Sequence, residues 1–267
     1  DDAFQVLRDP TTSVRRSNRP EDIPEHMEPL EKRRMERAPS ILGLDPPDHT
    51  RLRKLVQRTF TPRSISNMRA QTETIVESLV DELAGHETID LIADYAFVVP
   101  FTVIHTMLGL PEADTAKVRE WSGALTQTLE PFLTPDQVTA AVDAGHRMDA
   151  YLTDAIEWKR REPADDLLTG LIQVEAEGDR LDSDELLSMV GLLFVAGHET
   201  TVNLIGNGTN ALLSHPDQVE LVRTGQVDDE NMTEELLRYD SPVQTSGRHL
   251  TQDTVIGGIE VAADEWV

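Results

Sequence analysis

Hydrophobic and polar positions along this chain fall mostly at helical spacing, and the longest such run is also the oddest. From Leu186 to Gly208 apolar side chains lie almost all the way round a helix, a pattern that predicts a buried helix rather than a surface one. Asp182 and Glu185 carry the spacing of a capping box, and Pro216 cannot continue the hydrogen-bond ladder. The helix is therefore predicted from Asp184 to Ser214, about 46 Å at 1.5 Å per residue. Periodicity predicts further helices over Ser64 to Ala84, Asp114 to Leu129, Pro135 to Arg161 and Asp165 to Glu177. Strand candidates are few and late: Val243 to His249, Thr254 to Ile256, and Ile259 to Val261. The pattern is that of a mainly α fold, with one long central helix and small β pieces near the C-terminus.

The long helix holds residues that a plain core helix avoids. Gly191, Gly197, Gly206 and Gly208 each cost about 1 kcal/mol relative to alanine, so something must approach that backbone closely, or the helix must deform. Glu199 is costly to bury without a partner or a task. Thr200 and Thr201 can bond back to carbonyls one turn earlier and loosen the helix, and Ala196 shares a face with Thr200. The expected result is a notch with a hydroxyl next to an acid, over a flat strip made by Ala196 and Gly197. The bland alternative is a kinked core helix whose threonines satisfy themselves. His198-Glu199 begins like a zinc-protease motif, but the second histidine position is Val202, which excludes that chemistry.

Composition narrows the classes. The 267 residues include no cysteine, 24 Lys or Arg and 49 Asp or Glu, for a net charge of −25. Residues 1–69 carry a net +3 and the remainder −28. Such an acidic surface argues against a nucleic-acid partner. No uncharged apolar run reaches spanning length apart from a marginal stretch at Val190 to Ile205, broken by Glu199, so no membrane span is expected. The basic residues Lys32, Arg33, Arg34, Arg37, Arg51, Lys54 and Arg58 read first as a solvated face.

Three other segments carry candidate chemistry. Asp45-Pro46-Pro47 reads as a helix start, and His49 and Arg53, four apart, put two cationic donors on one face, which suits a carboxylate. Glu235 and Arg238 are three apart on a short helix that ends before Pro242; alone they read as an exposed ion pair. Val243 to Arg248 follows as an extended run.

Ala196-Gly197-His198-Glu199-Thr200-Thr201 in a long buried helix resembles the oxygen-activation helix of the cytochrome P450 family, in its soluble bacterial form. The segments Asp45 to Val56 with Phe60-Thr61-Pro62, then Glu234 to Val243, then Val243 to Arg248 resemble that family in the expected order. Weaker echoes are Ile89-Asp90-Leu91, Val99-Pro100 and Leu108 to Pro111.

The resemblance implies one incomplete cytochrome P450 domain over 1–267, located in the cytoplasm. Glu199 would relay protons and Thr200 would hold a water or dioxygen. His49, Arg53 and Arg248 would contact haem propionates, with Ala196 and Gly197 beside the haem. Glu235 and Arg238 would form a buried structural pair. Leu192, Val195 and Val243 would line the substrate pocket, together with parts of Pro29 to Leu44 and Leu125 to Leu133. Partners would be a small apolar substrate, O2, and a ferredoxin-type electron donor with its reductase; the basic segment would be the docking patch.

In the family the iron is held by a cysteine thiolate, and this chain has none. The expectation is therefore a chain truncated at both ends, inactive alone. A rival from another class is a haem-free relative that assists a glycosyltransferase; the intact acid–threonine pair argues against it, because a helper needs no proton relay.

Overall fold

The computed structural model describes residues 2–15, 23–60, 62–111, 115–130, 132–176 and 181–267. Thr61, Asp114, Pro131 and Glu177, which fall within stretches singled out above, lie outside the described residues. In chain order the helices are α1 (Asp2–Arg8), α2 (Glu28–Met35), α3 (Asp48–Gln57), α4 (Pro62–Leu83), α5 (Val98–Leu108), α6 (Thr115–Thr126), α7 (Pro135–Arg161), α8 (Leu167–Ala176), α9 (Ser183–Ser214), α10 (Pro216–Arg223) and α11 (Asp229–Tyr239). The strands are β1 (Thr12–Ser13), β2 (His249–Leu250), β3 (Thr254–Ile256) and β4 (Ile259–Val261). β1 pairs antiparallel with β2 across almost the full length of the chain, and β3 pairs with β4 as a hairpin.

Local chemistry explains the boundaries. Asp182 accepts from the Asp184 and Glu185 amides and Glu185 reaches back to the Asp182 amide, so the capping box forms and α9 starts where the spacing predicts. Pro216 ends α9 and opens α10 as its first residue, because a missing N–H costs nothing at a helix start. Thr134 and Gln137 cap α7 in the same reciprocal way. A turn of π-helix at Leu91–Ala96 precedes α5, with the Asp90 carboxylate accepting from the Ile92 and Ala93 amides. Periodicity alone gave no sign of that turn.

Three expectations are corrected. The stretch from Val243 to Gly247 is not a strand: backbone pairing begins only at Arg248, with Val267, and β2 itself at His249, while Val243 to Gly247 is held by local bonds such as Ser241 Oγ to the Val243 carbonyl. Asp45 does not start a helix; its carboxylate accepts from Ser13 and from the Val14 amide, and α3 begins at Asp48. And α9 is not buried all round. Its buried positions include Leu186, Val190, Phe194, His198 and Val202, a stripe of every fourth residue, whereas Ala196, Gly197, Thr201 and Asn203 are exposed. Apolar composition measures what a helix tolerates, and the elements described here cover one side of it.

The core gathers on that side. Leu52 and Leu55 of α3, Phe101, Ile104 and Leu108 of α5, Val118 of α6, Met148 and Leu152 of α7, and Leu168 and Leu171 of α8 pack with Leu186, Val190 and Phe194 of α9. The glycines of α9 are places of close approach. A Cβ on Gly206 would stand 2.8 Å from Ile92 of the π-turn, and one on Gly208 would stand 2.9 Å from Leu236 of α11. By length and composition Leu91–Leu108 and Ser183–Ser214 are both long and apolar enough to cross a membrane, the second only just, in keeping with the marginal stretch read at 190–205; in this fold the two pack against each other.

One ion pair inside this core is nearly closed to solvent. Lys159 Nζ lies 2.6 Å from Asp166 Oδ2, and the other oxygen of Asp166 accepts from the Thr169 amide at 2.8 Å, starting α8. Breaking such a pair strands a buried charge, which costs about 3–5 kcal/mol. Asp166→Ala is therefore expected to lower the urea unfolding free energy by about 3 kcal/mol or more, while Glu235→Gln, in a solvent-exposed pair, leaves the unfolding midpoint in place. Comparable losses from the two would show that burial does not set the worth of these pairs.

Candidate functional site

The acid–threonine segment lies near the middle of α9, and the helix runs through it without a break from Ser183 to Ser214. Thr200 Oγ1 donates to the Ala196 carbonyl at 2.9 Å and Thr201 Oγ1 to the Gly197 carbonyl at 3.4 Å. The predicted back-bonding is present without the predicted notch. Ala196 and Gly197 form an exposed strip poor in side chains. On its inner side Gly197 sits against Ile104 of α5, where a Cβ would come to 3.1 Å.

Glu199 is half-buried, and burial pushes its carboxyl above the ordinary glutamate value, against a weaker opposing pull from the Arg119 guanidinium. Arg119, on α6, lies over the Phe97 ring at 4.7 Å and lines an open groove of about 770 Å³ between α6 and the start of α5.

Sequence reasoning gave His198 no part, yet it is the side chain that organises this turn. It is fully buried between the rings of Phe97, Phe101 and Phe194, each meeting it edge-on at 5.5–6.0 Å. Its Nδ1 lies 2.7 Å from the Phe194 carbonyl, which can only accept, so Nδ1 carries the hydrogen. Burial pushes the imidazole below its ordinary value, opposed by the bond to Phe194. The neutral ring then leaves Nε2 as an acceptor, 3.1 Å from Ser122 Oγ of α6 and 3.5 Å from Glu199 Oε2. The one sequence signal for this was position: His198 falls four residues after Phe194, on the buried stripe.

The proposed propionate donors meet different surroundings. His49 is half-buried and Arg53 exposed on α3, and neither side chain has a hydrogen-bonded or charged partner among the described residues. Arg248 bonds Ser246 Oγ and the Gly247 carbonyl through Nη1, while its backbone pairs with Val267. Glu235 and Arg238 do pair, through two bonds of 2.7 Å, but both are exposed. The buried pair implied by the resemblance is thus corrected: no described element covers that face of α11.

Leu192 and Val195 line a cavity of about 180 Å³ with Leu125 of α6 and Met148 of α7. Val243 is 54% exposed and does not line it, because the segment after α11 is fixed by its own local bonds. The basic segment is also corrected. Arg33 and Arg37 turn inward onto Asp149 of α7, at 2.7 and 3.0 Å; Arg34 pairs with Glu31, Lys32 with Glu36, and Arg51 with Glu185. Among the described residues no cluster of three or more His, Asp or Glu side chains is placed to hold a metal ion.

No family model matches the chain. It is similar to cytochrome P450 107B1 of Saccharopolyspora erythraea, 42% identical over 231 residues, which are 86% of this chain and 55% of that protein. Vitamin D(3) 25-hydroxylase of Pseudonocardia autotrophica is likewise 42% identical, over 232 residues, 86% of this chain and 56% of that one. Among solved structures, epothilone D-bound cytochrome P450epoK matches with a TM-score of 0.84 and 30% identity over 100% of this chain and 67% of that one. CYP164A2 of Mycobacterium smegmatis matches with a TM-score of 0.83 and 36% identity, covering 99% and 66%. The chain spans about half the length of the curated relatives it matches.

The burial of His198 has a pH signature. Its folded value lies below the ordinary 6.5, so as pH falls through that range the unfolded chain takes up a proton that the fold refuses. Stability should fall with pH by up to about 1.4 kcal/mol per unit for this group; His105, also lowered by burial, adds to the trend. Glu199 works oppositely: its raised value means that stability is lost as pH rises from 4.5 through its folded value. Urea unfolding of the chain and of His198→Leu between pH 7.5 and 5.5 should give a shallower decline for the variant, and identical slopes would show that His198 is not held neutral.

Proposed function

The chain belongs to the cytochrome P450 family, and from that premise we propose that it forms the distal wall of a haem-thiolate monooxygenase that oxidises a small apolar molecule with O2. The observation that carries the reading is the middle of α9, where an exposed strip of Ala196 and Gly197 adjoins a half-buried acid and a threonine with its hydrogen already committed.

The residues present fit one side of a haem. His49 and Arg53 offer two donors one helical turn apart, without other partners among the described residues, which suits a pair of acidic substituents. Arg248 is less suited as it stands, being bonded to its own segment. The Ala196–Gly197 strip leaves room for a flat face. The thiolate that would hold the iron is not among these 267 residues, which include no cysteine. When bound, haem supplies dioxygen binding and its reductive activation.

The protein's share is positioning and proton supply. Thr200 Oγ1 gives its hydrogen to the Ala196 carbonyl, so its lone pairs accept, and it holds a water or another O–H donor at a fixed height over the strip. Glu199, raised by burial, keeps a proton nearer neutral pH than an exposed glutamate and passes it to that water, a general-acid role. His198 and Ser122 fix the turn from behind. Leu192 and Val195 present apolar surface to the substrate.

Electrons come from a ferredoxin-type carrier and its reductase in the cytoplasm. With Lys32, Arg33, Arg34, Arg37 and Arg51 held in ion pairs, the other exposed cations of this region are Arg53, Lys54 and Arg58, and docking there weakens as salt rises.

In the haem-loaded protein, Thr200→Ala is expected to lower product formed per NAD(P)H by about tenfold or more and to raise peroxide release, with NAD(P)H consumption retained. Unchanged coupling would remove Thr200 from proton delivery.

A further inference from the structure

The cavity lined by Leu192 and Val195 has a polar end that nothing so far accounts for. Arg33 and Arg37 both line it, and both are tied to one carboxylate, Asp149. Arg33 is 8% exposed and lies flat on α7 over Gly145, at a place where any Cβ would collide with its guanidinium. Its Nε is buried and has no hydrogen-bond partner among the described residues. An arginine presents five N–H donors and no acceptor, so Asp149 satisfies only a fraction of the ten on this pair. The other acid acting on Arg37 is Asp184, exposed at the start of α9 and weaker in effect than Asp149. Burial pushes Arg37 below the ordinary arginine value in spite of Asp149 and Asp184, with Arg33 adding to the effect. Two cations and one close anion therefore face a small cavity whose other walls include Ser40 and Ser188 beside Leu125, Met148, Leu192 and Val195. Leaving donors of this kind buried and unpaired is costly, and an anion seated beside them would remove that cost.

We propose that this cavity is a carboxylate subsite: Arg37 and Arg33 bind the acid group of a substrate, and Leu125, Leu192 and Val195 take the adjoining methylenes. The inference rests on the monooxygenase reading for the word substrate, but the binding itself does not. The ligand class it selects is an aliphatic acid rather than a neutral hydrocarbon. Charge complementarity in a half-enclosed setting that is apolar only along the Leu125, Leu192 and Val195 side favours the carboxylate over the corresponding alcohol, because only the anion balances the surplus guanidinium. Arg33 is also a structural tie between α2 and α7, so Arg37, partly exposed at 28%, is the better position to vary.

The test is calorimetric titration of the chain, without haem or redox partner, with decanoate and with decan-1-ol. The unmodified protein should bind decanoate at least about tenfold more tightly than the alcohol. Arg37→Gln should remove about that factor from decanoate and leave the alcohol unchanged. Leu192→Trp, which fills the cavity and touches no charge, should weaken both ligands together. Equal affinity for acid and alcohol, an Arg37→Gln effect that is the same on both, or no saturable binding of decanoate to the folded protein would overturn the proposal. Circular dichroism of each variant shows whether it is folded. Acid-selective binding with normal coupling in Thr200→Ala would sink the catalytic reading and keep the subsite; the converse pair of results would do the reverse.

Discussion

The structure depends on how one helix is covered. On α9 the buried positions Leu186, Val190, Phe194, His198 and Val202 are each four residues apart. Four residues at 3.6 per turn overshoot a full turn by about 40°, so the stripe winds slowly round the helix and meets a succession of neighbours. The glycines meet the same succession of neighbours. Gly191 lies against Leu152 of α7, Gly197 against Ile104 of α5, Gly206 against Ile92 of the π-turn, and Gly208 against Leu236 of α11. Gly197, Gly206 and Gly208 stand where a neighbouring element reaches the backbone, which is why the helix tolerates them, whereas a Cβ at Gly191 would make only ordinary contact. The acid–threonine turn sits midway, where the inner side is closed by α5 and α6 and the outer side is open.

Much of this was legible in advance. The ends of α7 and α9 could be placed because capping boxes and prolines act locally, within a few residues, and the acid–threonine motif is contiguous. What was not legible depends on groups far apart in sequence. The pairing of Arg33 with Asp149 spans 116 residues, and nothing near Arg33 distinguishes an inward-turned arginine from a solvated one. The buried role of His198 depends on three phenylalanines and a serine from other elements or turns. The exposure of Glu235 and Arg238 follows from what covers α11, which the sequence of α11 does not contain. The Val243 stretch has strand-like composition but lacks a partner to pair with, and pairing is what makes a strand.

Charge is arranged across the same divide. Residues 1–69 are mildly basic and the remainder strongly acidic, and the cross-links between them are ion pairs: Arg33 and Arg37 to Asp149, and Arg51 to Glu185. The basic segment is thereby drawn onto α7 and the first turn of α9. A surface that would repel itself if the acidic part stood alone is partly neutralised where the two parts meet. The cations used in this way are subtracted from any face available to a partner.

Ser122 has one hydrogen and three claimants for it, the Val118 and Arg119 carbonyls of its own helix at 2.9 and 3.2 Å and His198 Nε2 at 3.1 Å. With the imidazole neutral, the hydroxyl points from α6 toward α9. With Nε2 protonated, it turns back along its own helix and accepts instead. The orientation of this single O–H bond therefore records the charge on a ring it touches, and Glu199, on the other side of that Nε2, experiences a reversed dipole each time it turns. Two helices that share no covalent link are in this way joined by a vector whose sign is set by one proton.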